Sequence, residues 1–180
     1  APTDLTHPCQ IMADIMTIEE HRGPVAGKTL AWTGDGNNVL HSLVEGAARF
    51  GYRMNMAVPL GSEPDDKILN WARNNGGEIM LCHDADRAVT GADAVITDTW
   101  VSMNQEHKAR GHNVFQPFQV NAELMKKAND EALFLHCLPA HRGEEVTDEV
   151  IDGAQSVVFD EAENRLHAQK SILAWCLGAI

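Results

Sequence analysis

The stretch KTLAWTGDGNNVLHSLVEGAARFGYRMNMAVP, residues 28–59, decides the fold. Residues 28–34 read as a buried strand that ends in glycine. Residues 37–52 follow with helical character and stop near Gly51, and RMNMAVP (53–59) reads as a second strand. Two strands joined through a helix lie parallel, because a crossover of this length returns the chain to the same sheet edge.

The same alternation runs outward in both directions. PCQIMADIMTIEEHRG (8–23) places apolar residues at 11, 12, 15, 16 and 18, a helical spacing, with Thr6 expected as N-cap and Pro8 in the first turn. PDDKILNWARNNGG (64–77) reads as a helix opened by proline and stopped by a glycine pair. EIMLC (78–82), DAVITD (93–98), EALFLHC (131–137) and QSVVFDE (155–161) read as four more strands. Short helices are expected near Ala85–Thr90 and over NAELMKKAN (121–129), and a long one over AENRLHAQKSILAWCLGAI (162–180). This order predicts an α/β fold: a doubly wound, mostly parallel sheet of five or six strands with helices on both faces. Residues 1–180 contain no repeat, low-complexity tract or linker and are expected to form a single domain.

Composition narrows the function. The 180 residues are 44% apolar and carry a formal net charge of −12, with no Lys/Arg cluster, which argues against nucleic-acid binding. An acidic surface also requires any phosphate binding to be local. No apolar run approaches the roughly 20 residues of a membrane span, and APTDLTHPCQ lacks the features of a signal peptide. The four cysteines are far apart without a CxxC pair, which suits reduced thiols and a cytoplasmic setting, with the mitochondrial matrix as alternative.

In a doubly wound sheet, ligands bind beyond the carboxyl ends of the strands, and the reactive residues collect at those ends. FLHCLPAHRGEE (134–145) delivers His136 and Cys137 where a buried strand surfaces, followed by His141 and Arg142. Cys137 with His136 and His141 reads as a metal site, as a Cys–His nucleophile, or as an inert buried thiol. A zinc site would need further ligands, and the neighbouring sequence supplies none at sensible spacing, so no metal and no cofactor are expected. GDGNNV (34–39) matches a dinucleotide loop poorly, since Val39 holds the third glycine position. Asn37 reads as a helix cap, leaving the Asn38 amide for a ligand. His7 and Gln10 share one helix face at a positive helix end, suited to a small anion or carbonyl. Asp98 and Ser102 lie at the root of a polar loop of about residues 99–113 that reads as a lid, where an acid would bind an ammonium group. Arg165 follows an apolar run and points to the same edge.

Together, HPCQ (7–10), GDGNN (34–38), DTWVSM (98–103), HCLP (136–139) and ENR (163–165) resemble the carbamoyltransferases, with SM and HCLP closest to the ornithine carbamoyltransferase branch. The resemblance covers the C-terminal, ornithine-binding half of such an enzyme. It implies transfer of a carbamoyl group from carbamoyl phosphate to the δ-amine of L-ornithine, giving citrulline and phosphate in arginine biosynthesis.

It further implies an N-terminal carbamoyl-phosphate domain reached through the helices in residues 1–22 and 161–180, and a homotrimer. By motif, His7 would contact the carbamoyl oxygen, Gln10 the carbamoyl amide and Leu138, through its carbonyl, the carbamoyl nitrogen. Arg165 would hold carbamoyl phosphate. Asn38, Asp98, Ser102 and the Met103 backbone would hold ornithine. Cys137 would meet the δ-amine, as a thiolate beside Asp98 or a histidine that orients the amine or accepts its proton. Where the family has glycine after SM, Asn104 stands here. Putrescine or acetylornithine as acceptor, or a non-catalytic ligand-binding domain, remain the alternatives. The apolar end of the last helix, with Trp175, Leu177 and Ile180, is expected to form one exposed patch with Ile11, Ile15 and Ile18.

Overall fold

Strands β1 (Thr29–Thr33), β2 (Arg53–Ala57), β3 (Glu78–Cys82), β4 (Ala94–Thr97) and β5 (Leu133–His136) form one parallel sheet in the order β3-β2-β1-β4-β5. The computed structural model describes residues 3–100 and 112–180. Its helices are α1 (Pro8–Arg22), α2 (Asn38–Phe50), α3 (Asp66–Asn74), α4 (Ala85–Val89), α5 (Ala122–Met125), α6 (Asp148–Ile151) and α7 (Val158–Cys176).

β1, β4 and β5 are buried and largely apolar on both sides because both faces are covered, while β2 and β3, toward one edge of the sheet, carry Arg53, Asn55 and Glu78. Alternate residues point to opposite faces. Leu30, Trp32, Met54, Met56, Ile96, Leu133 and Leu135 pack with the buried sides of α1, α2 and α3. Ala31, Ala57, Val95 and Phe134 pack with α4, α5 and α6. The chain steps outward from β1 to β2 and β3, then returns to β4 on the other flank. The crevice between the ends of β1 and β4 is therefore the switch point where such folds bind ligands. There Thr97 Oγ1 donates to the Thr33 carbonyl at 2.7 Å.

Local chemistry explains the ends of α2. The Asn37 side chain accepts from the Val39 and Leu40 amides at 3.0 and 3.1 Å, and Gly51 closes the helix in the left-handed region at φ 73°. The second glycine of the GDG loop has a packing reason: a Cβ on Gly36 would lie 2.2 Å from the Ser62 carbonyl oxygen. Close backbone contact, and no phosphate cradle, accounts for that residue.

Four expectations need correction. QSVVFDE is not a sixth strand. Its contribution is one bridge from Ser156 to Phe134, after which α7 begins at Val158. Val157 and Val158 divide between the two core faces, and Asp160 and Glu161 in the first turn favour a helix start. NAELMKKAN yields only the four-residue α5. Thr6 does not cap α1. It is tied into a turn with Thr3, and His7 occupies the cap position without a side-chain cap bond. Ile11, Ile15 and Ile18 are buried in the core, so they do not extend the apolar surface at the end of α7, where Leu173, Trp175, Leu177 and Ile180 are exposed.

Candidate functional site

Asp98 follows β4 at the switch point and is the centre of a short chain of hydrogen bonds. Its Oδ2 accepts from Asn37 Nδ2 at 2.7 Å, and its Oδ1 from the Thr99 amide at 2.7 Å and the Cys137 thiol at 3.1 Å. One carboxyl thus links the ends of β1, β4 and β5. Asn37, and not Asn38, is the asparagine that reaches it. The Asn38 amide donates to the Thr3 carbonyl at 2.6 Å.

Burial and the Asp98 carboxyl favour the protonated thiol of Cys137 over its thiolate. Burial raises the Cys137 pKa well above its ordinary value, and the Asp98 charge and hydrogen bond raise it further. The sequence expectation of a thiolate is corrected on that ground: a low-pKa cysteine needs positive neighbours, and this one faces carboxyl groups.

The residues after Cys137 make an unusual turn. Leu138 has φ 49°, in the region that side chains other than glycine rarely adopt, and the Leu138–Pro139 peptide is cis. The Leu138 amide donates to His136 Nδ1 at 2.9 Å. That nitrogen must then be an acceptor, which puts the imidazole proton on Nε2, where it meets Glu145 Oε1 at 3.1 Å. Glu145 also accepts from the His141 amide at 2.5 Å. Both His136 and Glu145 are fully buried. Arg142 takes no part, because it is exposed and paired with Asp148 and Asp152.

Residues on α1 and α7 form the second half of the site. Gln10 is buried and its carbonyl oxygen accepts from Arg165 Nη1. Its Nε2 donates to Asp14 Oδ1 at 2.8 Å and to Glu161 Oε1 at 2.7 Å. The other oxygen of Glu161 accepts from the His136 amide at 2.9 Å, joining this layer to the end of β5. His7 is half-buried, and burial first, then the Arg165 charge, lower its pKa, so the neutral imidazole is favoured.

Sequence reasoning missed Asp14, Thr17, Glu161 and Asn164. Asn164 donates to Thr17 at 3.0 Å and to Glu20 at 2.7 Å, so the middle of ENR tethers the helices while its arginine donates to Gln10. The available signal was the interruption of the α1 apolar stripe at 14 and 17 between isoleucines.

The site residues thus fall into two groups. His7, Gln10, Asp98, Cys137, Leu138 and Arg165 lie at the carboxyl ends of β4 and β5 or on the helices beside them. Ser102, Met103 and Asn104, with most of the segment read as a lid, lie outside the described residues. A third donor beside Cys137 and His136 does exist, contrary to the sequence reading: metal-ligating atoms of Asp98, His136 and Cys137 lie within 4.8 Å of one another, as do those of His141, Glu144 and Glu145. In the first set the thiol proton is directed at Asp98 and both imidazole nitrogens are engaged. Among the described residues no helix is long and apolar enough to cross a membrane.

Residues 26–176 match the family described as aspartate/ornithine carbamoyltransferase, Asp/Orn binding domain. The chain is 86% identical over its full 180 residues to an ornithine carbamoyltransferase of Rhizobium johnstonii, covering 59% of that protein. It is 82% identical over 99% of its length to one of Agrobacterium fabrum, covering 58%. The solved Pyrococcus furiosus ornithine carbamoyltransferase superposes with a TM-score of 0.91 at 50% identity, over 98% of this chain and 58% of that one. The Campylobacter jejuni anabolic enzyme gives 0.92 at 36% identity, over 100% and 61%. The chain spans about three fifths of the length of these relatives.

Proposed function

Because the chain belongs to the aspartate/ornithine carbamoyltransferase family through its Asp/Orn-binding domain, we propose that the whole protein transfers the carbamoyl group of carbamoyl phosphate to the δ-amine of L-ornithine. The observation that carries this reading is Asp98 at the switch point, holding the Cys137 thiol and held by Asn37. A carboxylate fixed there attracts an ammonium group. The δ-amine has an ordinary pKa of about 10 and must give up a proton, to water, before it attacks. Cys137 stays protonated, donates to Asp98, and leaves its sulfur lone pairs to orient the arriving amine. Asp98, with Asn38, Ser102 and the Met103 backbone, binds ornithine.

On the other side, neutral His7 donates to the carbamoyl oxygen and Gln10 accepts from the carbamoyl amide. The Leu138 carbonyl accepts from the carbamoyl nitrogen, and Arg165 offsets charge on the leaving phosphate. The remaining phosphate contacts belong to a second, N-terminal domain that α1 and α7 reach. The family match begins at residue 26, after α1, which supports α1 as a connecting helix. Arginine biosynthesis in the cytoplasm and a homotrimer of two-domain subunits go with this reading. The test is citrulline formation by the full-length protein with ornithine, putrescine and acetylornithine compared. Turnover confined to ornithine is expected, and faster turnover of putrescine would overturn the assignment.

A further inference from the structure

The α1–α7 seam contains a feature that substrate contacts do not explain. Asp14 and Glu161 are both completely buried, on facing helices, and each places an oxygen within hydrogen-bond reach of the same nitrogen, Gln10 Nε2. Glu161 has donors for both oxygens, from Gln10 and the His136 amide. Asp14 has one for Oδ1, while its buried Oδ2 has none among the described residues. Two adjacent buried carboxylates repel and each is poorly solvated, so the pair is stable only if at least one is neutral.

We propose that Asp14 and Glu161 share a proton and act as positioning residues, orienting the Gln10 amide and the exit of β5 as one unit facing the carbamoyl group. With both N–H bonds of Gln10 directed at the carboxyls, its carbonyl oxygen is turned toward Arg165 and toward the substrate side as an acceptor. Through the His136 amide, the same pair holds the strand end that leads to Leu138. The proposal rests on the carbamoyl-binding role given above to Gln10, Arg165 and Leu138.

Burial lifts both carboxyls above the ordinary range, and the Asp14 charge lifts Glu161 further. The other groups facing the pair are Arg165 from α7, Asp98 from the end of β4, Cys137 from the end of β5, and Tyr52 from the start of β2. Arg165 favours ionisation of Asp14, and Asp98 opposes it. When the pH rises enough to remove the shared proton, the seam holds two like charges. Gln10 and Arg165 then lose their alignment.

The experiment uses the full-length enzyme and two readouts. Infrared spectroscopy at neutral pH should show a protonated-carboxyl C=O band that Glu161→Gln and Asp14→Asn each remove. Steady-state kinetics should show KM for carbamoyl phosphate rising roughly tenfold toward alkaline pH, the worth of about one hydrogen bond. KM for ornithine should change much less. Asp14→Asn keeps an acceptor oxygen for Gln10 and puts its amide nitrogen where Oδ2 has no donor among the described residues; it removes one of the two charges and should abolish that rise, whereas Asp14→Ala should raise KM at every pH. Absence of the band in the unmodified enzyme, or an alkaline rise that persists in Asp14→Asn, overturns the dyad. A band lost in both variants of a protein that makes no citrulline keeps the shared proton and rejects the activity.

Discussion

Replacing Glu145 by alanine should destabilise the protein by about 3–4 kcal/mol, and the arithmetic follows from its two donors. Glu145 Oε1 accepts from His136 Nε2 and from the His141 amide, in a location with no solvent exposure. Alanine leaves both N–H groups without an acceptor, at about 1–3 kcal/mol each, the lower figure applying to the half-buried amide. A small cavity adds to this. For a domain with roughly 5–15 kcal/mol of total stability, that is a large fraction. Urea unfolding followed by tryptophan fluorescence is a suitable assay, because Trp32 is fully buried in the core. With a slope of about 1–3 kcal/mol per molar urea, the midpoint should drop by roughly 2 M. Glu145→Gln keeps an acceptor at Oε1, and its amide would occupy the position of Oε2, which has no donor among the described residues. That variant should lose no more than about 1 kcal/mol. If alanine costs less than about 1 kcal/mol, or glutamine costs as much as alanine, Glu145 does not hold the Cys137–Leu138 turn through His136.

Asp98→Ala in the full-length protein should weaken ornithine by about 1.5–3 kcal/mol, roughly 10- to 150-fold, with much less effect on carbamoyl phosphate. Equal weakening of both substrates in steady-state kinetics would reduce Asp98 to a support of the fold. Cys137 should react slowly with iodoacetamide at mildly alkaline pH while exposed Cys176 reacts readily, as peptide mapping by mass spectrometry can follow. Burial is the larger cause of the raised Cys137 pKa and the Asp98 charge adds to it, so in Asp98→Asn alkylation of Cys137 should accelerate and its pH profile shift to lower pH; an unchanged profile contradicts the Asp98 contribution. Gly36→Ala should lower stability by about 1–3 kcal/mol, since the new Cβ meets backbone of Ser62, Glu63 and Pro64 at 2.2–2.7 Å. A thermal midpoint equal to that of the unmodified protein would show that the loop can yield.

The fold was legible because its signals are local. The runs of β1, β4 and β5 are largely apolar, as a sheet covered on both faces requires, and Asn37 and Gly51 mark the ends of α2. The misread strand at 155–161 shows the limit. Two adjacent valines have strand character, yet one packs on each face of the sheet, and the acids that follow begin a helix. The candidate site was legible in its outward-facing members, since Asp98, Cys137 and Arg165 are polar residues placed at strand ends or after an apolar run. Their protonation was not. The thiol state of Cys137 depends on burial and on a carboxyl 39 positions away, and the neutral state of His7 depends on burial and on Arg165. Neither pairing is visible before the chain folds.

The buried polar layer between α1 and α7 shows why the remainder stayed hidden. Periodicity assigns residues to a face, and Asp14 and Thr17 share theirs with Ile11, Ile15 and Ile18. Such residues look like a flaw in an amphipathic helix until the opposite surface is known. That surface is α7, whose Glu161, Asn164 and Arg165 answer Gln10, Asp14 and Thr17 across the seam. A purely apolar seam would stabilise the two helices at least as well, because buried carboxyls are costly. What it lacks is direction. An aliphatic contact leaves an amide free to rotate, whereas the carboxyl pair fixes which end of Gln10 faces Arg165 and which faces the protein. On the carbamoyl-binding role proposed for Gln10, the polar layer therefore makes sense as orientation of that surface obtained at some cost in stability. Substituting Asp14→Asn, which removes the charge and keeps an acceptor oxygen for Gln10, separates those two effects in a single protein.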